Sequence, residues 1–133
     1  MAVPVCIETP TRFARFKVAD ATAIPLSTML KLSGADLYAE ATTNVDGELF
    51  AGIAWEEKTA NDGVGEIVVA KNGVWDITSD VAGVSSGGIV ALSGANIVRQ
   101  AAAADLLNGS VVGKALEAGT SGEVIRVLVG EVI

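Results

Sequence analysis

The chain has 133 residues, the length of one ordinary domain that can bury a core without a disulfide or structural metal. It contains no histidine and one cysteine, Cys6, so histidine-dependent catalysis, an intrachain disulfide and a Cys/His zinc site are excluded. Nine Lys and Arg against sixteen Asp and Glu give a net charge of −7, the wrong sign for a protein that holds nucleic acid by neutralising phosphates.

The opening residues lack a basic stretch followed by a long apolar run, so no secretory signal is expected, and no apolar run approaches the ~20 residues of a spanning helix. No membrane partner is expected. All three prolines, Pro4, Pro10 and Pro25, fall in residues 1–25, where they favour extended chain that cannot donate at those positions. Up to Asp20 this stretch carries Arg12, Arg15 and Lys17 against Glu8 and Asp20, a balance of +1 that leaves −8 for the remainder. Val3, Val5 and Ile7 alternate as a strand does, and Phe13 and Phe16 are interleaved with the cations. Two placements fit: an extended N-terminal arm that leaves the body and docks on another chain by apolar anchors, cations and strand addition, or an edge strand on its own domain.

From residue 26 to 133 the sequence predicts a β-rich domain. Its fifteen glycines separate short segments rich in β-branched residues. Strands are expected at 29–32, 51–55, 65–70, 73–77, 89–92, 111–116 and 124–129. Lys71-Asn72-Gly73 reads as a type I′ hairpin turn between two of them. Asn61-Asp62-Gly63 and Thr120-Ser121-Gly122 read as further turns, and Gly83-Val84-Ser85-Ser86-Gly87-Gly88 as a connection between halves. Ala101 to Gly109 combines helix formers with an Asn-Gly stop and predicts one short helix.

Sliding the chain along itself reveals two pseudo-repeats, about 26–80 and 84–133. Leu32-Ser33-Gly34-Ala35-Asp36-Leu37 matches Leu92-Ser93-Gly94-Ala95-Asn96-Ile97 at an offset of 60. Gly52-Ile53-Ala54-Trp55-Glu56 matches Gly113-Lys114-Ala115-Leu116-Glu117 at 61, and Gly65-Glu66-Ile67-Val68 matches Gly122-Glu123-Val124-Ile125 at 57. Chance recurrence of a common turn explains one block better than three in the same order. The expected architecture is therefore mainly β: a small sandwich or barrel of two pseudo-repeats related by a pseudo-twofold axis, with one short helix and the N-terminal arm.

Parts for chemistry are few. Cys6 has no histidine to activate it and reads as an inert thiol. Glu56 and Glu57 are adjacent on a strand end and point to opposite faces, unlike an acid/base pair. Asn61-Asp62-Gly63 lacks the spacing of a calcium loop, and the glycine-rich 83–88 lacks the Lys-Ser/Thr of a phosphate loop. Trp55 and Trp75 read as core pieces, with a ligand pocket as the second reading. No catalytic residue, cofactor or metal site is assigned.

The run Leu49-Phe50-Ala51-Gly52-Ile53-Ala54-Trp55-Glu56-Glu57-Lys58, with Asn61-Asp62-Gly63 and the strands around Ile67-Val68-Val69 and Trp75-Asp76-Ile77, resembles the capsid decoration (cement) proteins of tailed bacteriophages. Val90-Ala91-Leu92-Ser93-Gly94-Ala95 and Val112-Gly113-Lys114-Ala115-Leu116-Glu117 supply the companion pattern, and the likeness covers roughly residues 26 to 129. It implies a non-catalytic virion protein, made in the host cytoplasm, commonly trimeric, that binds the major capsid protein on the outer shell and reinforces it. The expected capsid contacts lie in the arm: Val3, Val5, Ile7, Arg12, Phe13, Arg15 and Phe16. A self-assembling tail-tube or head-fibre component and a small-ligand β-barrel module are the alternatives.

Overall fold

A computed structural model describes residues 2–130 as eleven strands and one helix. In chain order these are β1 (Val5–Glu8), β2 (Phe13–Lys17), β3 (Met29–Leu32), β4 (Ala39–Ala41), β5 (Phe50–Ala54) and β6 (Glu66–Ala70). After them come β7 (Gly73–Ser79), β8 (Ile89–Gly94), β9 (Ile97–Gln100), α1 (Ala103–Asn108), β10 (Val111–Ala115) and β11 (Val124–Val129). The mainly β fold expected from the sequence is present. One sheet runs β1-β7-β11-β10-β8-β9, with β7 also pairing β9, so five of its strands close into a barrel; the other runs β2-β6-β5-β3-β4.

These sheets are two copies of one unit. β2, β6, β5, β3 and β4 follow each other as β7, β11, β10, β8 and β9 do. The second unit closes through a parallel pairing of Thr78 with Ile97 and Ser79 with Val98. The first has its ends joined by a single parallel bridge, Lys17 to Tyr38, where the Lys17 N–H donates to the Leu37 carbonyl at 2.7 Å. An antiparallel bridge outside the strands also recurs, as Ile24 with Lys58 and as Val84 with Gly119. Even a side-chain bond repeats: Glu56 accepts from the Val68 N–H at 2.7 Å, and Glu117 from the Arg126 N–H at 3.0 Å.

The interiors correspond residue by residue while trading size. Phe16, Leu30, Ala51, Ile67 and Val69 fill the first unit. Ile77, Val90, Val112, Ile125 and Val127 take the matching places in the second. A larger residue at one position is offset by a smaller one elsewhere, which keeps both interiors close-packed. The units then share a seam: Met29, Ile53 and Ala70 of the first belong to the same buried cluster as Trp75, Leu92 and Val129 of the second. Buried Asn96 crosses this seam, its Oδ1 accepting from the Met29 N–H at 2.8 Å and its own N–H donating to Thr42 Oγ1 at 3.1 Å.

Several expectations are corrected by the pairings. Lys71-Asn72-Gly73 is not a hairpin turn, because β6 and β7 lie in different sheets. Gly73 has the positive φ (106°) but Asn72 does not, and a type I′ turn needs both. This short segment is the connection between units. Residues 83–88 lie inside the second unit, between β7 and β8, so the units span 13–70 and 73–129 instead of 26–80 and 84–133. The third sequence block is displaced by one residue, since the recurring hydrogen bonds equate Val68 with Arg126. The second unit closes a barrel of its own and the first forms a separate sheet, where the sequence suggested two repeats closing one. The leading segment does not project as an arm: β1 pairs with β7 of the second unit and β2 with β6 of the first.

Candidate functional site

The residues expected to make contacts lie on these two edge strands. β1 runs antiparallel to β7, with Val5 opposite Asp76, Cys6 opposite Trp75, and an irregularity before Glu8 opposite Val74. Cys6 turns inward and packs on the seam cluster, which leaves Val5 (59% exposed) and Ile7 (40%) outward. Val3, just before the strand, is also exposed. The predicted alternation is real, and it faces solvent. Burial pushes the Cys6 thiol pKa up, which keeps it protonated and poorly nucleophilic.

The crossing from β1 to β2 is tied down by Asn72, whose sequence context suggests a turn former. Asn72 Oδ1 accepts from the N–H groups of Thr11 and Arg12 at 2.9 and 3.0 Å, and its Nδ2 donates to Thr11 Oγ1 at 2.9 Å. Beside it, a Cβ on Gly73 would lie 2.9 Å from the Glu8 carbonyl oxygen, so only glycine lets the end of β1 pass this close.

On β2 the odd and even positions separate. Phe13, Arg15 and Lys17 are exposed, whereas Ala14 and Phe16 are half-buried. Phe16 packs against the interior of the first unit and is withdrawn from the contact set, with Lys71 Nζ 5.4 Å above its ring. Phe13 lies on Trp55, centroids 5.6 Å apart, and Trp55 meets Trp75 edge-on at 6.1 Å. Trp75 is fully buried, as a core reading requires. Trp55 is only half-buried and lines a 250 Å³ cleft with Cys6, Leu26 and Ser27. It is the link the sequence did not reveal, since it touches Phe13 of β2 and shares its cleft with Cys6 of β1.

Arg12 and Lys71 line a second cleft, of 220 Å³, with Phe50, Val111, Val112 and Gly130. Burial and the Arg12 charge both lower the Lys71 pKa. The turn Asn61-Asp62-Gly63 is occupied by the chain itself: fully buried Lys58 donates to Asp20 Oδ1 at 2.8 Å, to the Asp20 and Thr59 carbonyls at 3.0 and 2.7 Å, and to Asp62 Oδ1. Among the described residues no group of three or more Cys, Asp or Glu side chains is arranged to hold a metal, and no helix is long and apolar enough to cross a membrane. What the surface offers is apolar side chains and backbone on two anchored strand edges, an arrangement suited to holding another protein. In comparisons with known proteins, the chain matches no family model and no curated protein.

Proposed function

We propose that this is a structural virion protein that binds the major capsid protein on the outer surface of a phage head and stabilises the shell, acting as a homotrimer. The observation that carries the reading is the row Val3, Val5 and Ile7, exposed along and just before an edge strand whose far side no strand pairs among the described residues. Exposed aliphatics on an open edge invite aggregation unless another surface covers them. The two-unit body holds that edge in place across its seam, so little ordering cost falls on binding. Several copies seated together would add avidity to a modest single contact. The resemblance in sequence to decoration proteins points the same way.

The test is addition of purified protein to expanded capsids that lack it, followed by imaging. Added density on the outer surface is expected, and bare shells at saturation reject the reading. Val5→Lys with Ile7→Lys should weaken attachment at least about tenfold by placing charge in a desolvated contact. A lysine at Val81, an exposed turn residue between β7 and β8, should change nothing.

A further inference from the structure

The duplication exposes a vacancy. In the second unit the outer side of β7 is covered over Val74–Asp76 by β1. The matching stretch in the first unit is Phe13–Arg15 of β2, since Phe13 and Arg15 stand opposite Ala70 and Val68 as Val74 and Asp76 stand opposite Leu128 and Arg126. Among the described residues no strand covers that side; its one partner is the bridge at Lys17. The backbone direction confirms which groups are open. Arg12 and Val18 direct theirs toward β6, accepting from the Lys71 N–H at 2.9 Å and donating to the Gly65 carbonyl at 3.0 Å. Alternation then turns the N–H and C=O of Phe13 and Arg15 to the free side, as at Lys17, whose N–H already bonds there.

We propose that this edge of β2 is an acceptor site for an antiparallel strand from a partner protein, with carboxylates on its outward side chains and aliphatic residues on its inward ones. The proposal rests on the reading of the protein as one that docks on another, and it names the edge and the partner's chemistry. β1 on β7 is the template: Val5, opposite Asp76, points out, and Cys6, opposite Trp75, points in. Where the second unit has Trp75, the first has Ala14, which leaves room for an inward side chain. Outward neighbours of the incoming strand would be Phe13, Arg15 and Lys17. Among the described residues neither cation, nor Arg12 beside them, forms an ion pair, although the chain carries sixteen acids. Arg15 and Lys17, exposed on the outward face of this edge and without ion pairs among the described residues of a chain at −7, favour an acidic strand. A second copy fits poorly, since the edges it offers, β1 and β4, bring one acid each, Glu8 and a Glu40 already paired with Lys31.

The test titrates the protein with the blocked pentapeptide Glu-Val-Glu-Val-Glu and with its Lys-for-Glu counterpart, reading backbone amide exchange by NMR. The acidic peptide should slow exchange at Phe13 and Arg15 by about tenfold or more, as new ladder bonds do, and leave Ala14 and Phe16 unchanged. Arg15→Pro deletes an N–H that the protein's own sheet does not use, and should abolish the protection while keeping the circular dichroism spectrum. If that variant fails to fold, Arg15→Glu should weaken acidic-peptide binding at least about tenfold. No protection at millimolar peptide, equal protection by the lysine peptide, or protection that rises with protein concentration alone would each overturn the proposal. Decorated capsids with an unprotected edge remove this inference only; bare capsids with a protected edge remove the virion reading only.

Discussion

Gly113 and Gly52 occupy the same place in the two units, and both are glycine because a neighbouring strand passes against them. A Cβ on Gly113 would collide with the Leu128 carbonyl, and one on Gly52, at φ 143°, would lie 2.6 Å from the Ala70 carbonyl oxygen. Those are backbone atoms in a paired strand and cannot swing aside. Gly113→Ala should therefore cost about 2–4 kcal/mol through overpacking and displaced pairing, read as a lower urea midpoint. At Lys58 the units differ in chemistry: its counterpart, Gly119, makes the same backbone bridge with no side chain. Burial opposes the Lys58 charge, but hydrogen bonds to Asp20 and Asp62 outweigh it and raise its pKa. Asp62 is lowered by its bond to Lys58 and by the Val64 N–H, and Asp105 by Arg99. Burial would raise Glu48, yet bonds from Lys31 and Thr43 bring it down. Carboxylates whose folded pKa lies below the unfolded value stabilise the protein fully above that unfolded value, about 4, and lose the contribution as pH falls through the folded one. Urea midpoints should hold from pH 7 to about 5 and drop below about 4. Lys58→Met should lower the midpoint at pH 7 and flatten the acid drop, because Asp62 then keeps only the backbone N–H bonds that lower its pKa.

At the scale of elements, α1 shows how a six-residue helix persists without length. Too short to be stable alone, it is held at its first turn by Asp105, which accepts from the Ala102 N–H at 2.7 Å and from Arg99 Nη1 and Nη2 at 2.7 and 2.9 Å. Gly109, at φ 79°, ends it. Asp105→Ala should cost about 2–3 kcal/mol, because it breaks a nearly buried paired contact, and should raise amide exchange across 103–110 before the strands respond. The helix was legible in the sequence because alanines, leucines and an Asn-Gly stop are local signals. β3 and β11 match their expected bounds for the same reason. β4 was not legible: Ala39-Glu40-Ala41 has no strand preference of its own and is set by pairing with Leu30, Lys31 and Leu32. Strand partners were also hidden. Asn72-Gly73 carries a hairpin signature, yet Asn72 spends its side chain on Thr11 and Arg12, and the chain passes to the other sheet. The candidate site divides the same way. The spacing of Val5 and Ile7 was visible, but which side they face depends on β7, and the inward turn of Phe16 on β6.

Over the whole molecule, duplication explains the aliphatic composition, since each unit needs its own interior of β-branched and small residues. It does not make the units independent. Met29, Ile53 and Ala70 pack in one buried cluster with residues of the second unit, and the polar crossing at Asn96 serves both units at once. Met29 is fully buried, so its N–H has no water to turn to if the Asn96 carboxamide is removed. Asn96→Ala should thus cost about 1–3 kcal/mol for the orphaned donor, plus roughly 1 kcal/mol because φ at this position is 59° and alanine tolerates that conformation poorly. The loss should be shared. Far-UV circular dichroism, which reports all strands, and tryptophan fluorescence, which reports the seam through Trp55 and Trp75, should shift to the same lower denaturant midpoint in a single transition. If the fluorescence transition moved while the dichroism midpoint stayed, the units would be melting separately, and the second could not be what holds the edges of β1 and β2 in their common arrangement.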